Sequence, residues 1–510
     1  MPPIGPYSPP PEPDAAAVYP WPYSVAPGER VDVHGRGPRR RATIEIARVG
    51  AVRTVAATAD VVIGPHDFGP DADAAGCDWP VVHSFVVPSD WSSGYYEIVL
   101  RIGDGTEAIG FLVVRPPAGA VDRPLLVLAT NTWNAYNDVA GTNLYSGGTH
   151  ASFLRPLAPG LLRKPGGPGS RVAVVGPPDP RMRTHVGHIR EHGLSSWSGS
   201  AGWPGWEGPF VAWAEAHGIE LDHATNADLQ FHPELLDGRR LYLSVGHDEY
   251  WSWEMRDTVE SFVADGGNAV FLSGNVSYWQ VRLEDDGRTM VGFKQQFDRD
   301  PVLGTARQDR LTSIWSDLLI GRPETALTGL TFSRGGYHRI GRAAGAGAGG
   351  YTVHRPDHWL FDGTGLGRGD LLGAGATVVG YECDGCELRL VDGLPEPTGA
   401  DGCPPGTIVL ATAPAIPFDR DNAARPVPDG VLSEVEFNAW RVLGSADEAT
   451  TQRLRNGTAV LAVRDGDGPG AAAGARGTVV AAGCTDWVWG LAGGDPAIER
   501  ITTNALTRLG

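Results

Sequence analysis

The sequence predicts an α/β doubly wound domain with β-rich additions, preceded by an immunoglobulin-like β-sandwich. Three observations predict it. Between residues 29 and 116, short apolar/polar alternating runs are separated by turn residues, the period-2 pattern of half-buried strands. From about residue 121, continuous apolar runs alternate with helical periodicity, as in a parallel sheet covered on both faces. Beyond about residue 330 the helical signal fades and short strands return around Gly-rich turns.

Composition supports a loop-rich globular chain. Among 510 residues there are 70 Gly, 41 Pro and 16 Trp, with 42% apolar residues. At about 100–200 residues per domain, this length suits two to four domains. The net charge of −18 argues against a nucleic-acid or anionic-membrane partner, because both need a basic footprint. Ala/Gly/Arg-rich, Lys-poor usage is an actinobacterial-type composition. No window approaches the roughly 18 apolar residues of a spanning helix, and the N-terminus lacks the basic and apolar regions of a leader. The expectation is a cytoplasmic protein without a membrane partner.

Taken in order, residues 1–28 carry a dense Pro series and read as an extended or disordered arm. The runs RVDVHG, ATIEIARV, SFVVP, YYEIVLRIG and AIGFLVVRP are the strands of a sandwich over 29–116, and residues 115–119 are its linker. Residues 125–129 (LLVLA) and 171–175 (RVAVV) read as buried strands, and 210–217 as a short helix closed by Gly218. Strands follow at 219–224, 241–245 and 268–272. Between the last two, Met255, Val259, Phe262 and Val263 mark a helix over 252–265. Two Gly/Ala tracts, near 343–350 and 467–477, read as exposed loops, and the C-terminus as a strand, an aromatic loop and a helix.

In an open parallel sheet, ligands bind beyond the carboxyl ends of the strands. Two adjacent ends carry polar chemistry: Gly246-His247-Asp248-Glu249-Tyr250-Trp251, and Gly274-Asn275-Val276-Ser277-Tyr278-Trp279. An imidazole, two carboxylates and two phenols at one rim suffice for a metal or an acid/base site. His247, Asp248, Glu249 and Asn275 are the candidate catalytic residues. A third candidate is Glu382, expected to emerge after the β-run 377–379 beside Gly380. Cys383-x-x-Cys386, with Cys403 beyond it, lacks the second ligand pair of a zinc site and reads as a structural thiol pair or facultative disulfide. The loops holding Trp133, Tyr136, Tyr145, Trp197, Trp203 and Trp206 could wall an apolar pocket. Phosphate-cradling, dinucleotide, GxSxG and HExxH signatures are absent.

The stretches GHDEYWS (246–252), GGNAVFLSGNVSYWQVR (266–282), LVLATNTWNAYN (126–137) and VVGYECDG (378–385) resemble the large (beta) subunit family of N,N-dimethylformamidase and its C-terminal-domain relatives. The resemblance covers roughly 120–510 and implies a glutamine-amidotransferase-like catalytic domain over 121–510. It implies hydrolysis of a small or secondary-metabolite amide by a mononuclear ferric ion, Fe(III), held by two tyrosines and one glutamate. By resemblance these are Tyr250, Tyr278 (with Tyr136 as substitute) and Glu382. It also implies a small-molecule amide as partner, and a homo-oligomer or a small partner subunit. Two other readings stand beside it: a metal-free hydrolase using His247–Asp248–Glu249, and a non-catalytic carbohydrate- or protein-binding module with a degenerate site.

Overall fold

A computed structural model describes residues 15–117, 119–167, 170–171, 180–338, 348–422, 427–466 and 477–510, with only the backbone of 180–183. Outside the described residues lie positions 1–14 of the Pro-rich segment, Ala118 of the linker, 172–175 of the expected second buried strand, and 343–347 and 467–476 of the two Gly/Ala tracts.

The N-terminal part consists of two sheets. Ala17–Trp21, Arg30–Arg36 and Val81–Val86 form one, and Ser24–Val25, Glu107–Val114, Gly94–Ile102, Arg40–Val49 and Arg53–Ile63 the other. Between them Val31, Val33, Ile44, Ile46, Ile98, Leu100 and Leu112 are buried. Residues 17–25 correct the reading of 1–28 as an arm. Val18, Tyr19, Tyr23 and Val25 are buried, and Ala17–Trp21 pairs along its whole length with the strand at 30–36. The apolar alternation there outweighs the prolines, which sit where a strand tolerates a missing donor.

The larger part is built on a nine-stranded sheet in the order Asp222–Thr225, Leu125–Leu128, Leu241–His247, Asn268–Gly274, Val479–Ala481, Gly457–Arg464, Thr407–Ala415, Tyr351–Val353 and Leu371–Leu372. The first five run parallel, and from Gly457–Arg464 onward neighbours run antiparallel. The apolar runs now have a physical account. Leu125 and Val127 face a cluster with Tyr242, Phe271 and Met255, whereas Leu126 and Leu128 face Leu243, Val245, Val270 and Leu272. A strand buried on both sides has no polar face.

The helix Trp253–Ala264 starts at Ser252, whose Oγ accepts from Met255 N at 3.2 Å, and buries Met255, Val259, Phe262 and Val263. The expected helix at 210–217 spans Glu207–Ala216. Residues 377–379 are not a strand: Glu382 opens the strand Glu382–Gly385 instead of closing one.

A second, four-stranded sheet lies beside the strand ends, in the order His150–Ser152, Thr289–Val291, Trp279–Glu284 and Tyr250–Ser252. The two parts of the chain pack through aromatic rings. Tyr95 stacks on Trp203 at 4.0 Å between centroids, and Phe111 meets Trp133 at 5.3 Å. Among the described residues no helix is long and apolar enough to cross a membrane.

Candidate functional site

The strands Leu241–His247 and Asn268–Gly274 are parallel neighbours with His247 opposite Gly274, so the two polar loops leave the sheet side by side. Gly246 takes φ +83°, and a methyl there would sit 2.2 Å from Trp206 Cβ. Glycine therefore lets the chain turn against an indole while delivering His247 to the rim.

His247 is fully committed. Its Nδ1 lies 2.7 Å from Ser200 O, and its Nε2 lies 2.7 Å from Glu382 Oε2 and 3.3 Å from Glu249 Oε2. A carbonyl on one side and two carboxylates on the other call for a proton on both nitrogens. Burial disfavours the charged ring, but Glu382 and Glu249 outweigh it and hold His247 well above its ordinary range. Glu249 is likewise moved below the usual carboxylate range: burial opposes this, and contact with His247 leads the groups that favour it.

Asn275, at φ +53°, donates from Nδ2 to Glu382 Oε2 at 3.0 Å. Its Oδ1 is buried without a hydrogen-bond partner among the described residues. The turn is gripped from below. Asp384 accepts from Asn275 N at 2.9 Å and Val276 N at 3.2 Å, and burial pushes its carboxyl up to about 7. One strand, Glu382–Gly385, thus presents a carboxylate to the side chain of Asn275 and another to its backbone.

On the other side of Glu249 lie two phenols. Tyr145 OH is 2.7 Å from Glu249 Oε1 and 2.9 Å from Oε2. Tyr136 OH is 3.1 Å from Oε2 and 2.7 Å from Tyr145 OH. Burial, then the Glu249 charge, raises both phenols well above their ordinary value. Trp197 and Trp206 complete the wall, the first against Tyr136 and Tyr145 and the second edge-on to His247. Of the aromatic loops, Trp133 and Trp203 pack instead against the N-terminal sheets.

Not every expected residue joins the cluster. Asp248 points the opposite way from its neighbours, with its carboxylate taken by Ser244 Oγ at 2.8 Å and Asn226 Nδ2 at 3.1 Å. Extended backbone puts 247 and 249 on one side and 248 on the other, so His247–Asp248–Glu249 is not one catalytic group.

Of the expected set, Tyr250 and Glu382 stay at the cluster, with the Tyr250 phenol against Tyr145 and near Glu249 and Glu382, whereas Tyr278 is turned away. Tyr250 accepts from Lys294 Nζ at 2.7 Å, Tyr278 donates to Asn438 Oδ1 at 2.6 Å, and Glu382 is engaged by His247 and Asn275. The reason is register. Tyr250 lies opposite Trp279, not Tyr278, and an offset of one residue sends a side chain to the other face of the sheet. The Tyr-Trp repeat in the sequence is real, but its two copies are out of phase.

Lys294 escaped the sequence reading. It is 2% exposed and takes φ +55°, with Nζ 3.1 Å from the centroid of the Tyr145 ring and 4.8 Å from that of Trp279. Burial brings its ammonium down to about 7. The available signal was rarity, since the chain has only two lysines, Lys164 and Lys294. Among the described residues no group of three or more His, Cys, Asp or Glu could hold a metal ion.

The cysteines pair differently from the Cys-x-x-Cys expectation. All five are free thiols; Cys383 pairs through its backbone with Cys484 in an isolated antiparallel bridge, and the Cys386 side chain neighbours that of Cys403. Cys383 lies in the strand Glu382–Gly385 and Cys386 just beyond its end, so extended chain carries them apart.

Fold and site together define a protein with a buried cluster of carboxylates, an imidazole and phenols at the carboxyl edge of a parallel sheet. The chain belongs to the family described as N,N-dimethylformamidase beta subunit-like, C-terminal, whose model matches residues 43–502. It is similar to the N,N-dimethylformamidase beta subunit of Alcaligenes sp, 26% identical over 369 residues that cover 66% of this chain and 44% of that protein. The beta subunit of the same name from Paracoccus aminophilus is 25% identical with the same coverage. The matched region therefore spans less than half the length of these relatives. A Paenibacillus cycloisomaltooligosaccharide glucanotransferase structure aligns over 51% of this chain and 53% of that one, with 10% identity and a TM-score of 0.17, and carries no argument.

Proposed function

We propose that this chain is a metal-dependent hydrolase of a small or secondary-metabolite amide, acting through a mononuclear ferric site built from Tyr136, Tyr145 and Glu249. The observation that carries the reading is the convergence of these three oxygen donors within 2.7–3.1 Å of one another. Adjacent ligands of one ion adopt such spacing, and a hard trivalent ion suits phenolate and carboxylate donors. Both phenols are raised by burial and by Glu249, so a cation is the charge that would let them ionise. An ion held there would supply Lewis acidity toward an amide carbonyl.

The chain's own residues supply the proton chemistry. Glu382 Oε2 is taken by His247 and Asn275, which leaves Oε1 to accept a proton from the attacking water. His247 carries its charge between the two carboxylates and fixes the orientation of both. The free Oδ1 of Asn275 offers an acceptor to the water or to the amide nitrogen. Lys294, brought down to about 7, is poised near neutral pH to protonate the departing amine. The relatives carry the name of a subunit, and we extend to this chain assembly with a further polypeptide.

Metal analysis combined with a visible absorption scan tests the reading. A phenolate-to-iron band is expected, lost in Tyr136→Phe and Tyr145→Phe and kept in Tyr278→Phe. Glu382→Gln should keep the iron while lowering kcat on an amide panel by about 10²–10⁴-fold. An iron-free protein that hydrolyses amides would sink the metal assignment. An iron-loaded protein inert toward the whole panel would sink the reaction.

A further inference from the structure

Outside this site, the chain holds two thiols that the amide chemistry does not use. Cys386 follows the strand Glu382–Gly385 and precedes a hairpin made of Leu388–Val391 and Leu394–Pro397. Cys403 follows the hairpin and precedes the strand Thr407–Ala415. The hairpin's base is closed by backbone and side chain together. Thr398 N donates to Glu387 O at 2.8 Å, while the Asp401 carboxylate accepts from Glu387 N at 2.6 Å and from Cys403 N at 3.2 Å. A second anchor ties the same segment to the core, as Thr325 Oγ1 donates to Asp401 O at 2.7 Å. One carboxylate thus fixes the residue after Cys386 and Cys403 itself, and it brings the two cysteines together at the base of one hairpin. Both belong to the same buried cluster and are 4% and 5% exposed.

We infer that Cys386 and Cys403 form one oxidisable dithiol, a site of reversible modification that closes to a disulfide across the base of this hairpin when a small hydroperoxide reaches it. The pair is electrostatically asymmetric. Contact with the Cys386 thiol leads the influences that hold Cys403 below the ordinary thiol range; burial opposes them, and the Thr407 hydroxyl and Arg464 assist. The same contact and burial push Cys386 up, although the Arg334 guanidinium, ion-paired with Glu387, works against that rise. Either thiol can react first, and Cys403 is the one we assign. Its thiolate attacks hydrogen peroxide, breaking the O–O bond to give Cys403 sulfenic acid and hydroxide. The Cys386 sulfur then attacks the Cys403 sulfur, forming the S–S bond and expelling hydroxide, which takes up the Cys386 proton as water. Two thiols are oxidised and one peroxide is reduced to water. Burial of both sulfurs favours an oxidant of this size over a bulky disulfide.

The dithiol stands apart from the amide chemistry, and its oxidation needs no substrate. The full-length protein is treated with hydrogen peroxide in its native state, alkylated, unfolded and mapped by mass spectrometry without reduction. The expected result is loss of two of the five free thiols, a single cross-linked peptide pair joining Cys386 to Cys403, and full reversal by a thiol reductant. Cys403→Ser should abolish the cross-link, and Cys383→Ser should leave it intact. A link between Cys383 and Cys386 or between Cys383 and Cys484 would overturn the inference. So would a native protein that keeps all its thiols until it is unfolded.

Discussion

His223 shows how one buried side chain can govern acid stability. It is 1% exposed, and both ring nitrogens lack hydrogen-bond partners among the described residues. Burial, with Arg48 nearby, lowers it to about 3. The unfolded chain, titrating near pH 6.5, takes up a proton that the folded chain refuses until about pH 3. Stability is therefore complete above pH 6.5 and falls as the solution is acidified through that window, by up to about 1.4 kcal/mol per pH unit. His223→Leu should flatten the acid limb in urea unfolding followed from pH 7 to pH 4. At this scale the sequence was informative about identity and weak about direction. His247, Glu249, Asn275 and Glu382 were legible as polar residues near strand ends. That Asp248 turns away and Lys294 turns in depends on backbone placement that residue types do not encode locally.

Among the elements, the paired strand-end loops were the strongest signal, because glycine, a polar triplet and Tyr-Trp recur after two apolar strands. Their neighbouring strands were readable from the uninterrupted apolar runs, and the helix between them from its 3.6 period. The register between Tyr250–Ser252 and Trp279–Glu284 was not readable, since hydrogen-bonded pairing is decided by the loops' lengths and by packing on Thr289–Val291. The prolines of 17–25 misled for a similar reason: their partner strand lies elsewhere in the chain. A sharp element-level prediction falls on Gly246. With φ +83° and Trp206 Cβ 2.2 Å from a new methyl, Gly246→Ala should cost about 2 kcal/mol or more. Denaturant unfolding with unchanged m-value would report it, and activity should fall with it, because the same turn aims His247.

For the molecule as a whole, the N-terminal sheets and the large sheet share one apolar interior: Tyr23, Tyr95, Phe111 and Val113 lie in the same cluster as Leu126, Trp133 and Trp203. Calorimetry should accordingly show one cooperative transition. Trp203→Ala, which removes the ring stacked on Tyr95 at 4.0 Å, should cost about 3–5 kcal/mol and split that transition into two. A second peak in the unaltered protein would contradict this coupling. The strand order of the nine-stranded sheet has a different consequence. Val479–Ala481 lies between Asn268–Gly274 and Gly457–Arg464, so it is a central slat, not an edge. During synthesis, the slot beside Asn268–Gly274 stays open while some two hundred further residues leave the ribosome. The nascent chain must carry an unpaired apolar strand edge through that interval, the kind of surface through which partly folded chains associate.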